Sequence, residues 1–385
     1  MANAAGIFFI CEINRQVLPW DHSSTAFYFR IFRLACHSMK NSKLILTACL
    51  FFCQVLLHTK SFGQTLGGNA AYNFLNLPNT PQLSALGGVN VSAITNDAGM
   101  AFNNPSLLRS DMHEQLHVSF NNMYAGVKNY HSVFAYRCEK CETNFAAGVH
   151  FIDYGTVDQT DASGNVYGSF HPADYAIQLS VSRKYAEKWN YGISIKFISS
   201  RYGIYRSNAL AMDAALAYYD TSRLFQVSLL MKNMGTQLKK YMNARGDDLP
   251  FDIEAGVTKR LAAAPVQFSL TAHHLHQFNI SYNDTAFNNS NGLDQNKSNS
   301  FSLDKVFRHL VAAGQVFIGN KIELSLAYNY LLHKELVIAN TANGFTGLSI
   351  GVGVLFKKIQ LRYARNHYQN NTGYNQLGIN LLFNE

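Results

Sequence analysis

Apolar and polar residues alternate along most of this chain with the two-residue period of a β-strand, and the last segment shows it most cleanly. In 375–383, Leu377, Ile379, Leu381 and Phe383 share one face, while Gln376, Gly378 and Asn380 share the other. One apolar face opposite polar and glycine residues suits a strand between hydrocarbon and a polar lumen. The same pattern, less regular, predicts fourteen strands at 115–124, 128–138, 143–153, 174–184, 190–202, 209–220, 225–233, 251–260, 266–274, 307–317, 322–333, 347–356, 359–364 and 373–383. Most are near the roughly 9–11 residues with which a tilted strand crosses a bilayer.

The connections sort by parity. An even strand count puts both barrel ends on the periplasmic side, so odd-to-even connections face outward. These include the long segments 154–173, 234–250, 275–306, 334–346 and 366–372. The even-to-odd segments 139–142, 185–189, 221–224, 261–265, 319–321 and 357–358 are short. Transmembrane barrels have short periplasmic turns and longer external loops, whereas a soluble β-sandwich has no reason to sort loops this way. The segment 125–127 is the exception. Tyr124, Tyr154, Trp189, Tyr191, Tyr202, Tyr219 and Tyr330 fall near strand ends and suit interfacial girdles, although cores use aromatics too. The expected fold is all-β: a transmembrane antiparallel β-barrel of about fourteen strands.

Composition agrees. Of 385 residues, 48% are hydrophobic and only 15% charged, against roughly 25% charged in ordinary soluble domains. No uncharged apolar run long enough for a spanning helix follows Leu57. The front of the chain reads as a leader: a basic stretch from Met39 to Lys43, an apolar stretch over 44–57, and a Ser61-Phe62-Gly63 cleavage box. Residues 1–38 then read as a mis-annotated extension, 39–63 as the signal peptide and 115–385 as the barrel. Cys49 stands in a stretch resembling a lipoprotein box, but the apolar sequence continuing past it favours the interior of the leader. Residues 1–63 hold six of the 32 basic and two of the 24 acidic residues, leaving 26 against 22. That balance is too mild to imply nucleic-acid binding.

The segment 64–114 differs, being rich in small residues and without spanning strands. It holds Phe74-Leu75-Asn76-Leu77-Pro78, Ala85-Leu86-Gly87-Gly88-Val89-Asn90-Val91, Asp97-Ala98 and Phe102-Asn103-Asn104-Pro105. Those motifs resemble the N-terminal signature of the PorQ family, outer-membrane proteins of the type IX secretion system, related to PorV and more distantly to the FadL-type channels. The resemblance implies a FadL-like barrel with an N-terminal hatch in the outer membrane of a Gram-negative bacterium, in which Gly87, Gly88, Asn104 and Pro105 mark the hatch. It also implies a non-enzymatic scaffold in the attachment complex, anchoring a PorZ-like surface partner near the PorU/PorV sortase, with contacts to membrane lipid and lipopolysaccharide. The alternative is a FadL-like transporter of hydrophobic small molecules, since the hatch signature is common to both. Read from composition alone, 64–114 is equally a periplasmic extension.

Candidate chemistry is sparse. Cys138 and Cys141 sit on a predicted tight turn in an oxidising compartment, where a disulfide across the turn fits. Zinc at that pair would need two further ligands that the neighbouring sequence lacks. His273, His274 and His276 are the best metal candidate. Strand alternation would put His274 and His276 on one face with His273 opposite, and no acidic residue adjoins them, so polar rim positions explain them more simply. No nucleophile elbow, P-loop or dinucleotide fingerprint is present, and no catalytic residue, cofactor or metal is assigned. In the long loop 275–306, Phe278, Tyr282 and Phe287 are the natural anchors for a protein partner.

Overall fold

The structure is a computed structural model describing residues 70–241, 248–280, 302–319, 321–336, 344–369 and 372–383. All belong to the second of two compact units, 63–385; the expected leader and upstream extension lie outside the described residues. The strands are β1 (Gln115–Asn122), β2 (Lys128–Cys138), β3 (Thr143–Asp153), β4 (Val157–Thr160), β5 (Val166–Phe170), β6 (Ala173–Tyr185), β7 (Trp189–Tyr202), β8 (Tyr205–Asp220), β9 (Phe225–Lys239), β10 (Asp252–Arg260), β11 (Val266–Ala272), β12 (Leu310–Ile318), β13 (Ile322–Asn329), β14 (Leu348–Leu355), β15 (Ile359–Gln369) and β16 (Thr372–Leu382). All but β4 and β5 form one closed antiparallel barrel. β1 closes it on β16, in a register running from Gln115 opposite Leu382 to Asn122 opposite Asn375. β4 and β5 pair as a separate hairpin.

The barrel is inverted relative to a soluble protein. Val118, Phe120, Ile177, Leu179, Leu324, Leu326, Leu377 and Ile379 point outward and are exposed, while the residues between them, such as Ser119, Gln178, Ser180, Ser325 and Asn380, are buried. Hydrocarbon around the wall makes that polarity favourable, and a closed sheet leaves no unpaired backbone edge inside it. This is the fourteen-stranded outer-membrane type of barrel expected from the alternation.

The expected boundaries shift where local geometry overrides alternation. β8 starts at Tyr205 instead of 209, which leaves only Gly203 and Ile204 between β7 and β8 at the long-loop end. β9 runs past 233 to Lys239 across a bulge at Asn233, whose φ is 57°. Asn233 donates its backbone N–H to Asp213 Oδ1 at 2.8 Å and its side-chain amide to the Pro250 carbonyl at 2.9 Å, so the irregularity is held from both sides. The strands expected at 307–317 and 322–333 give way in part to helices, Leu303–Arg308 and Tyr330–Leu336. Two expected girdle residues turn toward the lumen: Tyr154 and Tyr202 donate to buried Asp174 at 2.7 and 3.0 Å. Tyr219 is likewise engaged, under Arg109, at 4.3 Å from guanidinium carbon to ring centre. Trp189, Tyr191 and Tyr124 are exposed.

Residues 70–112 fill the lumen as a hatch rather than extending away from the barrel. Its helices α1 (Pro81–Ala85) and α2 (Ala98–Asn103) are buried throughout. Short helices form because Thr80 caps α1 by accepting from Leu83 N–H, and Asp97 caps α2 by accepting from Gly99 N–H. Phe102, Leu108 and Met112 pack on Val133, Ala135 and Ala146 of the wall, and Leu83, Leu86 and Met100 cluster with Ala313 and Ala327. Small wall residues mark where the hatch comes closest. A Cβ on Gly192 would run into the Pro105 backbone, and one on Gly378 would lie 2.7 Å from Pro81 Cγ.

A buried ionic relay fastens the hatch to the wall. Asp97 faces His117 Nδ1 and Arg362 Nη1, each at 3.3 Å; Arg362 Nη2 is 3.5 Å from Glu323, which also accepts from hatch Gln82 at 3.3 Å. Breaking a buried pair by removing one partner costs roughly 3–5 kcal/mol. Arg362→Met should therefore lower the stability of the detergent-folded barrel by about that much in urea titration, and an unchanged midpoint would show the relay to be dispensable. Gly192→Val should force the Asn104–Pro105 turn off the wall at about 1–3 kcal/mol. Faster cleavage within 97–112 under limited proteolysis is the expected readout, and wild-type cleavage would argue against the close approach.

Candidate functional site

At the long-loop end the hatch stops short of the rim and leaves a cavity of about 330 Å³. Its floor is the end of α1 and the turn that follows. The Gly88 N–H donates to the Leu83 carbonyl at 2.9 Å and the Gly87 N–H to the Ser84 carbonyl at 3.1 Å, with φ of 88° at Gly87. This pair of bonds closes a helix with a left-handed residue. Gly87 is required twice over, because a Cβ there would also sit 2.5 Å from Val311 Cγ1. Asn329 of β13 donates its side-chain amide to the Gly87 carbonyl at 3.1 Å and so ties the turn to the wall.

Apolar groups come from the hatch (Leu77, Pro78, Val89) and from the rim helix that supplies Leu331 and Leu332. The lining also includes the ionisable groups Lys232, Asp252, Glu254 and Glu335, with His273 and His274. Lys232 Nζ lies 3.9 Å from Glu254 Oε1. Behind them, Lys196 pairs with Asp213 at 2.7 Å and donates to Asn233 Oδ1 at 2.9 Å. The rim helix is clasped to its neighbour, Leu303–Arg308, by Asp304, which accepts from the Tyr330 hydroxyl at 2.6 Å and from Arg308 Nε at 2.9 Å. The Tyr330 hydrogen bond, ahead of the nearby cations, holds the Asp304 carboxyl below its usual range.

The histidines are arranged differently from the sequence expectation. β11 ends at Ala272, and His274 takes φ 55°, which breaks the alternation. His273, His274 and His276 consequently gather on one carboxylate, Asp252, which opens the neighbouring β10. Asp252 Oδ1 accepts from the His274 backbone N–H at 2.7 Å, and its oxygens lie 3.6 Å from His274 Nδ1 and 3.4 Å from His276 Nδ1. His273 Nδ1 is 2.5 Å from His274 Nδ1. Burial pushes protonation of His273 down to about 3, so its ring is neutral. No acidic residue adjoins these histidines in sequence; the one beside them in space is two strand ends away by the chain.

The other candidates fall elsewhere. Asn104 accepts from the Ser106 N–H at 3.0 Å and donates to the Val91 carbonyl at 2.6 Å, and Pro105 opens the turn that it caps. Both shape the hatch without lining the cavity, unlike Gly87 and Gly88. Cys138 and Cys141 are joined by a disulfide at the short-turn end, across the barrel from the cavity. Phe278 is about half exposed, and its carbonyl faces His309 Nε2 at 3.1 Å. Tyr282 and Phe287 lie outside the described residues. His131, His150 and His171 meet Asn79, Asn129 and Thr156 at 3.1, 2.8 and 2.8 Å. Sequence reading missed Asp252, Glu254, Lys232 and Lys196, although charged residues interrupting apolar strands were the available signal.

No protein-family model and no curated protein matches the sequence. Among solved structures, the CymD monoaromatic hydrocarbon channel is similar over 82% of this chain and 100% of its own, at 11% identity and a TM-score of 0.46. A deltaS2 mutant of the TodX monoaromatic hydrocarbon channel is similar over 79% of this chain and 97% of its own, at 12% identity and 0.42. The KdgM porin is similar over 70% and 99%, at 5% identity and 0.32. Likeness at these values leaves the barrel's own geometry as the basis for function.

Proposed function

We propose that this protein is a non-enzymatic, hatch-sealed outer-membrane barrel that takes up a small hydrophobic or amphipathic molecule, in the manner of a FadL-like transporter. The cavity between hatch and rim carries this reading. At about 330 Å³ it is lined by apolar side chains of hatch and rim helix together with a few ionisable groups. That combination, at the small end of the size range of ligand pockets, suits a molecule with a hydrocarbon body and a polar end. Its floor is the hatch turn itself, so an occupant would touch the element that has to move for passage.

A second reading is a scaffold of the type IX attachment complex, holding a PorZ-like surface protein beside the PorU/PorV sortase and near lipopolysaccharide. It is favoured by the number of ties between hatch and wall, which suit a barrel that stays shut, and by the PorQ-family resemblance of 74–105.

One experiment separates the two. The protein is purified from native outer membranes in mild detergent, and both bound proteins and an organic extract are analysed by mass spectrometry. Uptake predicts a small hydrophobic molecule near one per chain. Val89→Trp, which fills the cavity from the hatch side, should lower its recovery at least about tenfold, the loss expected when an apolar pocket contact worth more than about 1.4 kcal/mol is removed. Stoichiometric recovery of a surface protein and a sortase-like protease, with no small molecule, would overturn uptake in favour of the scaffold.

A further inference from the structure

We propose that Asp252, His273 and His274, with His276 beside them, form a zinc site at the long-loop rim of the barrel. One ligand atom from each of Asp252, His273 and His274 can be chosen so that all lie within 4.8 Å of one another. Four-coordinate zinc takes imidazole nitrogens and a carboxylate oxygen at about 2.0–2.2 Å. Ligands on such an ion stand roughly 3.3 Å apart by that geometry. His276 Nδ1 stands 3.4 Å from Asp252 Oδ1 and His274 Nδ1 stands 3.6 Å from Asp252 Oδ2, each close to that spacing. His273 Nδ1 and His274 Nδ1, at 2.5 Å, need only part by under an ångström to admit the ion.

Three features distinguish this cluster from ordinary rim polarity. The first is the facing pair of imidazole nitrogens, whose lone pairs repel unless a proton or cation lies between them. The second is burial: Asp252 and His273 are 6% and 2% exposed. Buried ionisable groups are found paired or coordinating a metal. The third is access, since Asp252 and His274 line both the 330 Å³ cavity and a second, 570 Å³ cavity that also reaches His276. An ion can arrive through water without the hatch moving.

The backbone holds the ligands in place before any ion binds. The His273 N–H donates to the His309 carbonyl at 2.9 Å, and the Leu275 N–H donates to the Ile253 carbonyl at 3.1 Å. His309 is itself excluded as a ligand, with Nδ1 at 2.8 Å from the His273 carbonyl and Nε2 at 3.1 Å from the Phe278 carbonyl. Glu254 is held toward Lys232. That leaves the fourth position to His276 or to a group entering from the cavity. Imidazole with one carboxylate favours zinc over the oxygen-seeking magnesium and calcium. The proposal stands independently of the uptake reading, because it concerns the rim alone.

The test uses full-length protein purified from membranes in detergent without a polyhistidine tag, stripped with chelator, re-exposed to zinc chloride and desalted. Bound zinc is counted by plasma mass spectrometry, and affinity is measured by calorimetry. About one zinc per chain is expected, with affinity at least tenfold weaker in His274→Ala and in Asp252→Asn, and unchanged in His171→Ala, an exposed histidine on the β4–β5 hairpin. Heat-modifiable migration on a gel confirms that each variant is a folded barrel. His276→Ala, at the end of the cluster, serves if Asp252→Asn does not fold. Substoichiometric zinc in the wild type, or equal zinc in the His274→Ala variant, would overturn the site. Magnesium and calcium chloride should give no binding under the same conditions, and binding of either in place of zinc would also overturn it.

Discussion

Backbone closure in hydrocarbon governs everything else in this molecule. A strand that crosses a bilayer has to pair both edges, because an unpaired peptide group there costs several kcal/mol. The chain meets this by closing β1 on β16. Closure fixes which side chains face lipid, and the lipid face in turn forces polarity inward. The lumen then contains dozens of polar groups that need partners, and the hatch supplies them. Ser84 bonds Gln376, Asn90 bonds Ser269, and Ser92 bonds Thr258, so hatch and wall satisfy one another. An outward-apolar barrel of this width would otherwise need water to do the same.

The ionic relay follows from the same inversion. Asp97, His117, Glu323 and Arg362 are all buried, in a chain with few charges to spend. Ion pairs removed from water are weak contributors to net stability but are strongly destabilising when half-removed. Their consequence here is specificity: the hatch has one register on the wall in which Asp97 meets Arg362 and Gln82 meets Glu323. Small wall residues sharpen that register. Gly192 under Pro105 and Gly351 under Ala85 admit the hatch backbone only where they stand.

Much of this was legible from alternation, and the parts that were not share a cause. The period of two and the sorting of loop length identified the barrel and its strand count, since both follow from lipid on one side. Alternation says nothing where a strand leaves its ideal path. Asn233 at φ 57° carries β9 onward to Lys239, and His274 at φ 55° turns three histidines onto one carboxylate. Residues tolerating left-handed backbone, asparagine and histidine among them, were visible at both places. Partnership across the barrel was also hidden: Asp252 and His274 are neighbours only because β10 and β11 pair. The Gly87-Gly88 turn was legible as a motif, and its physical reason, a helix stop pressed against Val311, required the wall. Tyr154 and Tyr202 fitted a girdle by position, but a buried Asp174 draws their hydroxyls inward.

The ionic fastening and the cavity are consequently placed toward opposite ends of the barrel. Toward the short-turn end, where Glu323 and Arg362 lie near the starts of β13 and β15, withdrawing the hatch as a body would break the Asp97–Arg362 pair and strand the wall's polar groups together, at a cost that compounds because none of the losses is replaced. Toward the long-loop rim the end of α1 and its turn are tied to the wall by Asn329 on the Gly87 carbonyl and by Asn366 and Gln376 on Ser84, together with apolar contact, and a neutral hydrogen bond contributes only about 0.5–1.5 kcal/mol. These ties are neutral where the relay is ionic, so movement driven by an occupant of the cavity would cost least at the Gly87–Gly88 corner. The two functional readings meet at this point, because a barrel that only anchors needs the relay and has no use for a weakly held corner.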